Sequence, residues 1–169
     1  MEKTAQDGRL KEKPIIVTSS IVMGYNDSQF CLHGWHALGV GLAGLSARWT
    51  SEQAFVRLNL SREATMLYVL TCMPPIVFER RPFIAAYEGE RCLGRAPWIG
   101  STLSWTLTQI PINLPAENKG REAVISLCPE LRTNPDTDEY SPFYFIPHEI
   151  QGNGDFRKLG MSVAALRIA

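Results

Sequence analysis

The sequence predicts an all-β protein, a single antiparallel β-sandwich of the jelly-roll type. Several short segments alternate apolar and polar residues, which is the period-two pattern of a half-buried strand. Eleven prolines and thirteen glycines interrupt the 169-residue chain at short intervals, so only residues 39–56 could hold a three-turn amphipathic helix. Neither an internal repeat nor a linker divides the chain. We therefore expect a single sandwich domain.

Residues 1–13 are predicted to be a flexible leader, and residues 14–169 are predicted to form the single β-sandwich domain. The leader is polar and of mixed charge, and it lacks the apolar stretch of a secretory signal. The longest apolar run, residues 66–70, is far shorter than the roughly 20 residues that span a bilayer. We therefore expect no membrane span and a cytoplasmic location.

The net charge and the cysteine content limit which partners and which cellular compartment are expected. Lysine and arginine number 17, as do aspartate and glutamate, so the net charge is zero. A chain without excess positive charge has little means of displacing counterions from a phosphate backbone, so no nucleic-acid partner is expected. The four cysteines, Cys31, Cys72, Cys92 and Cys128, form no CxxC pair and are interpreted as buried free thiols in a reducing compartment.

Two segments show the alternation of strands most clearly. Residues 56–60 place apolar side chains on even numbers, and residues 103–108 place them on odd numbers. After Gln109 the apolar side chains move to even numbers over residues 110–114. This change of phase predicts a β-bulge or a bend near Gln109 and Pro111.

Three further strands are predicted. Residues 66–72 and 123–128 are apolar almost without interruption, which predicts strands covered on both faces inside the sandwich. Residues 161–168 follow Gly160 and the turn sequence at 153–154. They are predicted to form the last strand, returning to the sheet.

A β-hairpin is predicted around Gly89 and Glu90. Residues 83–88 and 91–95 flank these two loop positions. Glycine at the first loop position can adopt the positive φ that a type II′ turn requires. The two flanking segments should therefore pair with each other.

The glycine-rich sequence at residues 39–44 matches the GxGxxG pattern of dinucleotide-binding proteins. That pattern binds a pyrophosphate when an apolar parallel strand precedes it and a helix follows. Residues 31–36 are instead polar and broken by glycine. The segment is therefore interpreted as a loop between strands.

No catalytic residue, metal site or cofactor is predicted. The sequence contains no GxSxG, no HExxH and no phosphate-binding loop. Possible metal donors do occur at His33, His36, His148 and Glu149, with Cys31 nearby. On an extended strand the first two point to opposite faces, so a shared metal would need a turn between them. A metal-assisted enzyme built on these residues stays open as an alternative.

Aromatic and planar polar side chains are concentrated in two parts of the chain. Residues 33–36 and 48–50 carry Trp, His and Arg, and residues 147–149 and 155–157 carry His, Glu, Asp, Phe and Arg. Such mixtures are typical of sugar-binding sites, because an aromatic face covers the apolar face of a pyranose while planar polar groups bond its hydroxyls. The same residues could instead be structural, with tryptophans in the core and arginines that hold loops together.

The order of these motifs also carries a family resemblance. The motifs are GWHAL at residues 34–38, RWT at 48–50, FIP at 145–147 and DFRKLG at 155–160. Over about residues 25–168 the sequence resembles a β-sandwich domain attached to bacterial glycosyltransferases and sugar methyltransferases of surface-polysaccharide clusters. That family reads Gly-aromatic-His-x-x-Glu, and Gly39 stands where its acidic residue is expected.

The resemblance implies a non-catalytic jelly roll that binds or positions a glycan, or that docks against a partner enzyme. Its ligand would be an oligosaccharide or polysaccharide, and its protein partner a glycosyltransferase or a methyltransferase. The ligand-binding residues carried over by motif are Trp35, His36, Arg48, Trp49, Asp155 and Arg157.

The sequence therefore predicts a non-catalytic carbohydrate-binding module that acts in polysaccharide assembly or modification. The first alternative is a structural or docking module that binds a partner enzyme or a second copy of itself. The metal-assisted enzyme is the second alternative.

Overall fold

The computed structural model describes residues 18–61, 63–101, 104–114 and 120–169, so the predicted leader and Leu103 lie outside the described residues. The strands are β1 Ser20–Val22, β2 Trp35–Val40, β3 Ser46–Thr50, β4 Ala54–Leu60, β5 Met66–Cys72, β6 Phe83–Glu88, β7 Arg91–Pro97, β8 Thr106–Pro111, β9 Arg121–Arg132, β10 Tyr140–Pro142 and β11 Ser162–Ile168. Short helices are α1 Pro75–Phe78 and α2 Pro147–Gln151, with 3₁₀ turns at Asp27–Gln29 and Leu42–Gly44. No helix in the described part of the chain is long and apolar enough to cross a bilayer.

The strands form two antiparallel sheets that enclose one core. The first sheet has the order β2-β3-β11-β5-β8, with β1 also paired to β11, and the second has the order β10-β9-β6-β7, with β4 also paired to β9. Both sheets contribute the largest fully buried side chains, among them Ile21, Leu67, Ile110, Leu166, Leu58, Ile84, Ile125 and Leu127. The predicted fold class is confirmed.

Two predicted elements are also confirmed. β6 and β7 pair with Glu88 opposite Arg91, so Gly89 and Glu90 form the two-residue loop of a hairpin. Gly89 has a φ of +59°, as the first position of a type II′ turn requires. The last strand is β11, which pairs with β5 and β3 in the first sheet.

Gly34 lets the chain cross from the second sheet to the first. Cys31 bridges Val56 of β4, and β2 begins shortly afterwards in the other sheet. Gly34 has a φ of +81°, and a Cβ atom at this position would stand 2.0 Å from the carbonyl oxygen of Gln53. A side chain would therefore clash with the backbone that leads into β4. The crossing places β2 at the edge of the first sheet.

The prediction of a β-bulge or a bend near Gln109 and Pro111 is wrong. The pairing of β8 with β5 runs through both residues without a register shift. Thr108 and Ile110 are buried, whereas Leu107 is 53% exposed, so the even-numbered residues of β8 face the core. Leu107 therefore lies on the outer face of the sheet. The move of apolar residues from odd to even numbers therefore reflects a strand with apolar side chains on both faces, not a bulge.

Burial of the two continuously apolar segments differs. β5 alternates half-buried and buried positions from Met66 to Thr71. The prediction that both of its faces are covered is therefore wrong. β9 fits the expectation better, because every position from Ile125 to Glu130 is buried. The glycine-rich residues 39–44 run from the end of β2 into the turn before β3, which confirms a loop between strands.

Candidate functional site

The six predicted ligand-binding residues lie along one edge of the sandwich, and we call them the edge cluster. They belong to β2, to β3 and to the loop between α2 and β11, and are Trp35, His36, Arg48, Trp49, Asp155 and Arg157. β2 and β3 are paired neighbours, and the His36 ring lies 3.0 Å from the carbonyl oxygen of Lys158. The structure therefore brings the two distant motifs together.

Arg48 is held by partners inside the protein. Its Nε donates to Oδ2 of Asp27 at 2.5 Å, and its Nη1 donates to the carbonyl oxygen of His36 at 3.1 Å. Burial by itself would raise the pKa of Asp27, but hydrogen bonds from Arg48 and from the Gly24 N–H outweigh it, so the pKa lies below its ordinary value. These contacts match the loop-holding role that the sequence left open for Arg48.

The two tryptophans of the edge cluster are half-buried. Nε1 of Trp35 donates to the carbonyl oxygen of Phe55 at 2.8 Å. The Trp49 ring meets Phe145 edge-on, with 5.6 Å between ring centroids. Both indoles therefore contribute to packing within the protein.

Asp155 and Arg157 form a local ion pair on the loop before β11. Nη2 and Nε of Arg157 donate to the two carboxylate oxygens of Asp155 at 2.6 Å and 2.8 Å. Hydrogen bonds from Arg157 lower the pKa of Asp155 to about 2. Because 51% of the Arg157 side chain is exposed, this pair is the part of the edge cluster most open to a ligand.

A small cleft of about 180 Å³ opens beside the edge cluster at Phe145, and we call it the end cleft. Phe143 and Tyr144 line it together with Arg80 and Glu149. Aromatic rings and two opposite charges thus adjoin the predicted residues.

The histidines that the metal-assisted alternative requires each contact a different part of the protein. His33 stacks on Phe55 with 3.9 Å between ring centroids, and Nδ1 of His148 accepts a hydrogen bond from the Gly154 N–H at 2.9 Å. Among the described residues, no three His, Cys, Asp or Glu side chains stand close enough together to hold a metal ion. The described histidines therefore make separate contacts and do not converge on one site.

A larger cleft, of about 350 Å³, lies on the outer face of the second sheet, and none of the predicted residues lines it. We call it the sheet cleft. Its lining comes from β6, β9, β10 and neighbouring turns, and consists of Gln53, Tyr87, Gly89, Glu90, Cys128, Glu130, Tyr140 and Pro142.

Glu130 lines the sheet cleft and is only 3% exposed. Its Oε1 accepts a hydrogen bond from the Tyr87 hydroxyl at 2.5 Å, and its Oε2 accepts one from Arg95 Nε at 2.6 Å. Nη2 of Arg95 also donates to the Tyr87 oxygen at 2.9 Å. Burial, and then the hydrogen bond to Glu130, raises the pKa of Tyr87, so the phenol stays protonated and donates. Three side chains thus close a charge-assisted network.

Aromatic rings and an amide surround this network. The guanidinium carbon of Arg95 lies 3.7 Å from the centre of the Tyr140 ring, which is a cation–π contact, and Phe83 meets Tyr140 edge-on at 5.1 Å. Nε2 of Gln53 donates to the Ser126 hydroxyl at 2.8 Å. Within the described residues, Arg95 Nη1 and Gln53 Oε1 make no hydrogen bond. Both atoms are therefore open to a ligand, Gln53 from the lining of the sheet cleft and Arg95 from beside it.

The sequence did not predict that the residues of the sheet cleft meet, because they come from distant segments. One signal was available, since Ser126 and Glu130 are polar residues inside the buried stretch of β9. Buried polar groups need partners, and here the partners include Tyr87 and Arg95. The sequence does not say which tyrosine or arginine meets Glu130.

Comparison with known proteins bears on the fold. No family model matches the sequence, and no curated protein matches it. Among solved structures, the chain is similar to the carbohydrate-binding module CsCBM6-3 from Clostridium stercorarium, solved in complex with cellobiose. The TM-score is 0.50 at 11% sequence identity, and the match covers 90% of this chain and 93% of the other. The two proteins share a β-sandwich fold.

Proposed function

We propose that the protein is a non-catalytic carbohydrate-binding module whose ligand lies in the sheet cleft. The observation that carries this proposal is the network of Tyr87, Arg95 and Glu130 beside the Tyr140 ring. Sugar-binding sites combine an aromatic surface for the apolar face of the sugar with a few fixed polar groups for its hydroxyls. The sheet cleft contains both.

The hydrogen bonds of Glu130 indicate that its neighbours, and not Glu130 itself, contact the sugar. Both carboxylate oxygens are already bonded, so Glu130 orients Tyr87 and Arg95 and offers little of itself to a ligand. Groups that are held in place before binding lose less conformational entropy when the ligand arrives. Arg95 and Gln53 then provide one donor and one acceptor toward the sugar.

Two further observations support the carbohydrate assignment. The similar module from Clostridium stercorarium was solved with cellobiose bound, and the motif resemblance implies the same class of ligand. From the resemblance we further propose that this module acts in polysaccharide assembly or modification in the cytoplasm, beside a glycosyltransferase or a sugar methyltransferase. The edge cluster with the end cleft is the second candidate surface for the same ligand.

The proposal is tested by an oligosaccharide array, followed by calorimetric titration of wild type and Tyr140→Ala with the best sugar. We expect Tyr140→Ala to weaken binding about tenfold, because an aromatic contact is worth roughly 0.5–1.5 kcal/mol beyond the area it buries. Tyr25→Ala is the matched control, because Tyr25 follows β1 and is 87% exposed. This control should bind like wild type.

Binding to no sugar on the array would contradict the assignment. A sugar that binds Tyr140→Ala and wild type equally would remove the sheet cleft as the site. In that case Tyr144→Ala in the end cleft and Arg157→Ala in the edge cluster identify the alternative surface.

A further inference from the structure

The outer face of the first sheet carries a row of apolar side chains, which we call the apolar row. Val22, Ala165, Leu70 and Leu107 stand opposite one another on β1, β11, β5 and β8. Val22 and Leu107, at the two ends, are 46% and 53% exposed. Because neighbouring strands lie about 4.8 Å apart, the row is roughly 14 Å long. Solvent-facing positions of such a sheet are ordinarily polar.

Aromatic side chains and one cation border the apolar row. Trp105 precedes Leu107 by two residues, just before β8 begins, and its Nε1 donates to the carbonyl oxygen of Leu42 at 2.7 Å. On the other side of the row Tyr68 stands opposite Arg167. Arg167 is exposed, and it forms no ion pair with any described residue. Tryptophan, tyrosine and arginine are the residues enriched at protein-binding hot spots.

We propose that this face docks an apolar surface of another protein that carries a carboxylate opposite Arg167. The strands that form the face, β1, β5, β8 and β11, contain no aspartate or glutamate. Two copies packed face to face would therefore set Arg167 against strands that carry no opposite charge, which is costly. A partner that supplies the carboxylate removes this cost, so charge complementarity selects it over a second copy.

The chemistry of the face distinguishes it from the sheet cleft. A sugar needs several fixed hydrogen-bonding groups, and the apolar row has none in its side chains. The sheet cleft lies on the outer face of the opposite sheet. A docked partner therefore leaves the sheet cleft open, and the two surfaces can be occupied together.

A displayed library of random peptides, selected on the full-length wild-type chain, is the probe. We expect enriched peptides to combine apolar residues with aspartate or glutamate, and to bind Leu107→Lys about tenfold and Arg167→Gln about fivefold more weakly than wild type. Val124→Lys is the matched control, because Val124 is 42% exposed on the other sheet. Its affinity for the same peptides should not change, and all three variants should unfold at the wild-type temperature.

Four results would overturn the proposal. The first is that all enriched peptides are insensitive to Leu107→Lys, and the second is that they show no preference for acidic residues. A wild-type dimer in sedimentation that Leu107→Lys dissociates would assign the face to a second copy. A sugar whose addition shifts the NMR signals of Leu70 and Leu107 would assign the face to a glycan.

Discussion

Two buried carboxylates, each paired with an arginine, hold different parts of the sandwich and differ in their surroundings. Asp27 pairs with Arg48 at 2.5 Å, and Glu130 pairs with Arg95 at 2.6 Å. In both pairs the carboxylate side chain is at most 5% exposed, while 21% and 23% of the arginine side chains are exposed. Arg48 uses a further hydrogen bond on the backbone of β2, whereas Arg95 bonds one tyrosine and lies on the ring of another.

The neighbours of an arginine–carboxylate pair indicate its role. The Asp27 pair is closed off by backbone, which indicates a structural link between a turn and the β2–β3 edge. The Glu130 pair opens into a cleft between aromatic rings, which indicates recognition. In the sequence the opposite assignment looks better, because Arg48 stands next to Trp49 while Arg95 has no aromatic neighbour within two residues.

The largest expected effect is one that both pairs share. Asp27→Asn and Glu130→Gln each leave an arginine without its charge partner, and we expect each to lower the free energy of unfolding at pH 7 by about 2 to 3 kcal/mol. Urea unfolding followed by tryptophan fluorescence measures the loss. Asp138→Asn is the control, because 86% of the Asp138 side chain is exposed and such pairs contribute about 1 kcal/mol or less.

Acid should reveal the Asp27 pair separately. The pKa of Asp27 is lower in the folded chain than the ordinary value of 3.8. The pair therefore stabilises the fold fully above that value, and its contribution is lost as pH falls through the lower, folded pKa. Wild type should lose stability more steeply than Asp27→Asn below about pH 4. Equal slopes would contradict the prediction.

A smaller effect should separate the two pairs. Glu130→Gln releases Arg95 and Tyr87 from their anchor, so we expect it to weaken sugar binding about tenfold, which corresponds to about 1.4 kcal/mol. Asp27→Asn should leave the affinity within about twofold, because its pair touches no part of the sheet cleft. Calorimetric titration of both variants, at a temperature where both are folded, measures the difference. Equal losses would mean that affinity merely follows stability.

The smallest effect concerns the cysteine beside each pair. Burial, and then the charge of the neighbouring Asp27 or Glu130, raises the pKa of Cys31 and of Cys128 to about 12. Neither thiol should react with iodoacetamide at pH 8 in the native protein, whereas Cys92, which is exposed and not buried as the sequence predicted, should react readily. Peptide mass spectrometry reports which thiols are labelled. Labelling of Cys31 or Cys128 as fast as Cys92 would show that the enclosure around that pair is open.

Individual strand faces were harder to predict than strand positions. The alternation around Leu107 indicates a buried odd-numbered face, yet that side chain lies on the outer surface of the first sheet. A strand of an open sandwich can be apolar on both sides, and periodicity cannot tell which side the core takes. The same ambiguity concealed the apolar row, which exists only because β1, β11, β5 and β8 pair in one register.

Local pattern was sufficient for the fold class, for the Gly89 hairpin and for β4 and β11, because turn chemistry and period-two alternation act over a few residues. The meeting of Glu130 with Arg95 and Tyr87, which lie 35 and 43 residues away, was settled only by assembly of the sheets. The pairing of β6 with β7 and β9 brings these side chains to one face. Hydrogen bonds form only when atoms meet within about 3 Å, and no pattern in the sequence encodes contact over such separations.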